Sequence, residues 1–245
     1  MPKRFVVATS EFSDLPRFPA GQELAETLTA AARQLHATAT AHSTLDMAVR
    51  LAVLVVPGAE HAGISVRERD GQCRTLAWTD ETVRAAEDRT GGREPYPDRD
   101  RLWSTPVVRV EDTEADGGGN VLSGLGLRSA LSLRLRADRR RLTVLTVYAR
   151  KPRAFDDSAT RVGRLFTAHV SIALESATTR EQLTEAMRTR DLIGQATGML
   201  MERLNIDAAG AFDSLVKASQ RENVKLRDLA RRIVDADDTQ SGAGS

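Results

Sequence analysis

The sequence predicts an α+β protein: an antiparallel sheet flanked by helices, then a long coiled-coil-like helix leading into a small all-helical module. Three observations carry this. Apolar residues recur at three- and four-residue steps up to about position 55, alternate between 61 and 149, and return to the helical period after Phe155. All eight prolines lie at or before Pro152, so the last third of the chain has no residue that must break a helix. Glycine-containing turn signals concentrate in the middle, where hairpins need them.

Residues 1–19 hold Pro2, Pro16 and Pro19 without periodicity and are expected to be a flexible N-terminus. Leu24, Leu28, Ala31, Leu35 and Thr38 then mark an amphipathic helix from Gln22 to about His42. A second helix is expected from Thr44 to Val55, with Ser43 as N-cap and Pro57-Gly58 as its stop. His61 to Arg67 and Cys73 to Trp78 alternate as two strands around an Asp70-Gly71 turn. Glu81 to Asp88 reads as helical, Gly91 to Leu102 as irregular, Val107 to Val110 as a short strand, and Gly117 to Gly119 as a loop. Ser129 to Arg136 and Leu142 to Ala149 complete the strands.

Leu165, Ile172, Thr179, Ala186, Ile193 and Leu200 fall seven residues apart, which predicts one helix from about Ser158 to Leu204. Its length would be on the order of 70 Å at 1.5 Å per residue. Gly194 and Gly198 each weaken such a helix by roughly 1 kcal/mol relative to Ala, which points to close backbone approach. Asp207 caps a helix reaching about Arg221, and a last helix runs from Leu226 to about Ala236. Phe212, Leu215, Leu226, Leu229 and Ile233 are expected to pack against Leu200 and Leu204. Residues 237–245 read as a polar, disordered tail.

Basic and acidic residues number 35 and 34, which excludes a globally basic nucleic-acid coat and leaves room only for local patches. Four lysines make the cationic surface mainly arginine, the residue suited to forked phosphate contacts and planar stacking. The single cysteine, Cys73, allows no intramolecular disulfide and no multi-cysteine metal site, and its strand position suggests packing. The N-terminal apolar stretch is too short for a signal peptide, and the run from Leu51 to Val56 is far below the roughly 20 residues of a membrane span. A cytoplasmic protein without a membrane partner is expected. His36, His42, His61 and His169 lack a second ligand at metal spacing, and Gly124 and Gly126 precede a strand instead of opening a phosphate-binding helix. No nucleophile and base assemble, so no enzyme, metal or cofactor is expected.

The run from Arg190, RDLIGQATGMLMERLNIDAAGAFDSLVKASQRENVKLRDLARRIV, resembles the ANTAR domain of bacterial transcription antitermination regulators. The carriers are the IGQA-x-GMLMER block, the AF-x-x-L pair and the ending ASQ-x-x-N-x-KLRDLA, in that order. The resemblance implies a three-helix module over 179–236 that, as a dimer, binds paired stem-loops in nascent transcripts and prevents a terminator hairpin. It places RNA contact on Arg190, Ala196, Thr197, Gly198, Arg203, Lys217, Ser219, Lys225, Leu226 and Ala230. Small residues beside basic ones would let phosphate or loop bases approach helix backbone. Thr197 and Val216 stand where many members carry Lys and Arg.

Residues 20–178 resemble a GAF domain of the kind that precedes ANTAR in actinobacterial regulators. TLDMAVRLAVLVVPGAEHAGISV, GLRSALSLRL and LTVLTVYARKPRAFDDSA carry the likeness, while GGREPYPDRDRLW departs from it. The resemblance implies a sheet flanked by helices, an unidentified small-molecule ligand in this domain, and a signal relayed through the continuous helix. The implied function is transcription regulation by RNA binding and antitermination, carried out by a homodimer joined through helices 22–42 and 158–190. The alternative is a ligand-sensing dimeric interaction protein whose degenerate ANTAR module contacts protein instead of RNA.

Overall fold

The computed structural model describes residues 21–90, 99–115 and 121–241, and it divides into two compact units, Met1–Ala177 and Thr178–Ser245. The expected flexible N-terminus, the 117–119 loop, most of the irregular stretch after Gly91, and the last four residues lie outside the described residues.

In the first unit, α1 (Gly21–His36) and α2 (Ala41–Val55) form a helical pair. The first helix ends six residues earlier than its periodicity suggests, because threonines divert the backbone. Thr38 donates to the Leu35 carbonyl at 2.6 Å. Thr40, rather than Ser43, is the N-cap of α2: its hydroxyl accepts the Ser43 N–H at 3.1 Å, and the Ser43 hydroxyl accepts the Thr40 N–H at 3.1 Å. This reciprocal box satisfies two donors that a helix start otherwise leaves open.

Five strands follow: β1 (His61–Glu68), β2 (Cys73–Trp78), β3 (Val107–Val110), β4 (Ser129–Ala137) and β5 (Arg141–Ala149). They pair antiparallel in the order β2-β1-β5-β4-β3. Cys73 is half-buried on the edge strand. One sheet face packs Ile64, Leu131, Leu133, Leu145 and Val147 against α1, α2 and the start of α4 (Asp157–Leu204). Gly163 makes this close approach possible, since a Cβ there would lie 2.7 Å from Leu133. The other face carries α3 (Glu81–Thr90), with Val83 and Ala86 packed on Leu122, Leu127, Ala130 and Tyr148. Gly63 lets this helix settle, because a Cβ would meet Val83 at 2.7 Å and Glu87 at 3.0 Å. The Tyr148 hydroxyl donates to Glu87 Oε1 at 2.6 Å, and both residues are fully buried.

The second unit takes the C-terminal part of α4, then α5 (Ala208–Glu222) and α6 (Leu226–Ser241). The helix α4 is continuous over 48 residues, as the seven-residue pattern predicts. Its end is set by Asn205 in the left-handed region, and Asp207 caps α5 through a 2.8 Å bond from the Gly210 N–H. The helix α6 continues to Ser241, so residues 237–241 are helical and the expected disordered tail does not begin at 237. No described helix is long and apolar enough to cross a membrane.

Candidate nucleic-acid interface

The core of the second unit is small. Ala196, Leu215, Leu229 and Ala230 are buried at its centre, with Leu192, Ile193, Leu200, Ala218, Leu226 and Ile233 packed around them. Ala196 from α4 and Ala230 from α6 are fully buried, and Ser219 from α5 is nearly so. The Ser219 hydroxyl donates to the Val224 carbonyl at 2.7 Å, and the Val224 N–H bonds back to the Ser219 carbonyl at 3.1 Å. Together with Asn223 in the left-handed region, this pair fixes the turn from α5 into α6. Lys225 starts α6 by accepting the Asp228 and Leu229 N–H groups on its carbonyl.

This geometry corrects the idea of an open surface of small residues. Ala196, Ser219 and Ala230 are buried, one on each of the three helices, so their small side chains serve the packing of those helices and are not offered to solvent. Leu226 is half-buried against the same core, and Thr197 is half-buried with its hydroxyl bonded to the Ile193 carbonyl at 2.7 Å. Arg190, Arg203, Lys217 and Lys225 are exposed. Gly198 is exposed as well, and among the described residues a Cβ added there or at Gly194 meets nothing within 4 Å beyond its own helix backbone. Among the described residues nothing makes the close approach that these glycines permit.

Two further residues shift position relative to the expected core. Leu204 is 53% exposed, so only Leu200 of that pair packs inside. Phe212 is 43% exposed. Ala211 and Leu215 are buried four residues apart, so Phe212 stands about 100° away around α5. The AF-x-x-L spacing does not choose between them, since Ala211 lies four residues and Phe212 three residues before Leu215, and both spacings share a helix face.

Phe212 lines an open groove of about 830 Å³ together with Ala186 and Ile193, and with Arg190 from α4 and Arg227 from α6. Glu181 and Glu185 lie on the same groove, and Arg227 is 3.9 Å from Glu185. A partly exposed aromatic ring with arginines around it offers a face for stacking a base and forked donors for phosphate. Among the described residues no group of three or more metal-ligating side chains comes together.

Comparison with known families matches residues 38–175 to the GAF domain and 181–234 to the ANTAR domain. The chain belongs to the GAF domain family and ends in an ANTAR domain. GAF domains are sensory modules that take small ligands and ANTAR domains bind RNA, so the chain is built as a signal-sensing regulator. Neither is a catalytic domain. No curated protein matches the sequence. Among solved structures, the chain is similar to a bacteriophytochrome from the photosynthetic bacterium R. palustris, at 15% identity and a TM-score of 0.57, over 77% of this chain and 43% of that one. It is also similar to the Stigmatella aurantiaca phytochrome photosensory core module, at 12% identity and a TM-score of 0.56, over 82% and 45%. This GAF–ANTAR chain spans less than half the length of those two proteins, and the likeness is one of fold.

Proposed function

We propose that this protein is a signal-dependent transcription antiterminator that binds paired stem-loops in nascent RNA as a homodimer. The sensor would comprise 20–178 and the output module 179–236. The observation that carries the reading is the groove in which Phe212 stands exposed beside Arg190 and Arg227. Exposed Lys217 and Lys225 supply further cations. A ring of this kind can stack an unpaired loop base while the guanidinium groups meet the phosphates flanking it.

The dimer reading rests on apolar side chains that the first unit leaves uncovered. Leu165 and Ile172 on α4 and Leu54 on α2 are all exposed. Relay of the signal rests on the unbroken α4, since a movement of one part of a continuous helix repositions the rest. The ligand has to bind two helix arrangements with different affinity, because equal affinity shifts nothing.

A filter-binding titration of hexaloop RNA at two salt concentrations tests the reading. Phosphate neutralisation requires that affinity fall as salt rises. Phe212→Ala should lose roughly 1–3 kcal/mol of binding if it stacks one base. Lys217→Ala with Lys225→Ala should flatten the log–log salt slope by about two phosphates' share. Wild-type RNA affinity in all of these variants, or no RNA binding by the parent protein, would favour the reading in which the module contacts protein.

A further inference from the structure

Two turns of the sensor domain carry arginine that neither sensing nor the proposed stem-loop contact uses. The turn between β1 and β2 and the strand ends beside it hold Arg67, Arg69 and Arg74, with Glu68 and Asp70 as their acids. The turn between β4 and β5 holds Arg136, Arg139, Arg140 and Arg141, with Asp138 alone. In sequence these segments are about seventy residues apart. The sheet order puts β1 beside β5, and the Arg69 N–H donates to the Arg140 carbonyl at 2.9 Å, which joins the two tips into one surface.

The acids on this surface are already engaged. Glu68 accepts from Arg141 Nε at 3.1 Å. Asp138 accepts the Arg140 and Arg141 N–H groups, each at 2.8 Å, and those backbone bonds hold its carboxyl below the usual range. Asp70 accepts the Gln72 N–H at 3.0 Å. Arg69, Arg74, Arg136, Arg139 and Arg140 are exposed. The Arg69 guanidinium carbon sits over the Trp103 ring, 4.9 Å from its centroid, at a recess of about 340 Å³ that Arg67 also lines. A guanidinium group resting on an indole is partly fixed, and such a group can stack a base or donate to phosphate.

We propose that these joined turns are a second phosphate-binding surface, one that holds single-stranded RNA flanking a stem-loop. The proposal rests on the antiterminator reading for its choice of RNA, although the surface itself lies wholly within the sensor domain. Five exposed arginines beside acids already engaged in hydrogen bonds suit a polyanion better than a single small anion. An acidic membrane fits less well, because neither turn carries a bulky apolar side chain to enter the bilayer.

The test uses the full chain, with Arg69, Arg139 and Arg140 together changed to Ala. The probes are a hexaloop stem-loop RNA with and without a twelve-nucleotide single-stranded 3′ extension, and vesicles containing phosphatidylglycerol. The parent should bind the extended RNA more tightly than the bare stem-loop. The triple variant should lose that gain and shed about 2 units of log–log salt slope on the extended RNA, at ~0.7 per single-strand phosphate, while binding the bare stem-loop as the parent does. If the antiterminator reading alone is wrong, the bare stem-loop is not bound, yet the extension still binds through these arginines. Parental affinity and slope in the triple variant overturn the proposal, and so does arginine-dependent binding of the vesicles but not of the extended RNA.

Discussion

Replacing Tyr148 by Phe probes how firmly α3 is tied to the sensor sheet. The tyrosine hydroxyl on β5 donates to Glu87 Oε1 on α3 at 2.6 Å, and both side chains are fully buried. Removing one partner of a buried hydrogen bond costs about 1–3 kcal/mol, and the phenyl ring keeps the apolar contacts with Val83, Ala86 and Leu127. The expected loss is therefore about 2 kcal/mol, the polar part of the site alone. With a denaturant slope of about 2 kcal/mol per molar, the urea midpoint of the sensor should fall by about 1 M. Intrinsic fluorescence reads this unit selectively, because both tryptophans, Trp78 and Trp103, lie in it. A double-mutant cycle with Glu87→Leu isolates the pair: in that background Tyr148→Phe should cost under about 0.5 kcal/mol. A midpoint in Tyr148→Phe within about 0.2 M of the parent, or equal costs in both backgrounds, would refute the assignment of this bond as the tie.

Other outcomes follow from the same geometry. Leu165→Lys with Ile172→Lys places charge on two exposed apolar positions and should give monomers, so an unchanged mass by light scattering would count against that dimer face. Inserting four Gly/Ser residues after Ala177 breaks the continuity of α4 and should leave both domains folded while RNA binding loses its dependence on signal. Retention of ligand-dependent antitermination would show that tethering suffices. Burial acts to raise the Asp80 carboxyl, but hydrogen bonds from His61, Thr79 and the Val83 N–H, with the nearby imidazole charge, hold it below its usual range. A depressed folded-state value stabilises the fold above the unfolded value and is lost as pH falls through the folded one. Asp80→Asn should thus be less stable than the parent at pH 5, with the gap narrowing at pH values below about 4. A gap that stays constant in urea titrations across that interval would contradict the role given to this carboxylate.

The elements themselves were legible in the sequence because their causes are local. The alternation of Cys73 to Trp78, the Asp70-Gly71 turn, the Asp207 cap and the seven-residue recurrence from Leu165 each depend on neighbours within a turn or two, and each reappears in the structure. The motifs of the last fifty residues likewise pointed to the ANTAR domain without any coordinates. What the sequence leaves open is which face of an element its neighbours cover. Small side chains such as Ala196, Ser219 and Ala230 serve equally as an exposed approach for RNA or as the meeting point of three helices, and only packing chose the latter. The same packing turned Phe212 outward, once Ala211 and Leu215 had taken the inner face of α5. Strand order acts over longer distances still. By placing β1 beside β5 it brought Arg69 to Arg140 and His61 level with Tyr148, pairings that no local period encodes because they depend on which strand edges meet.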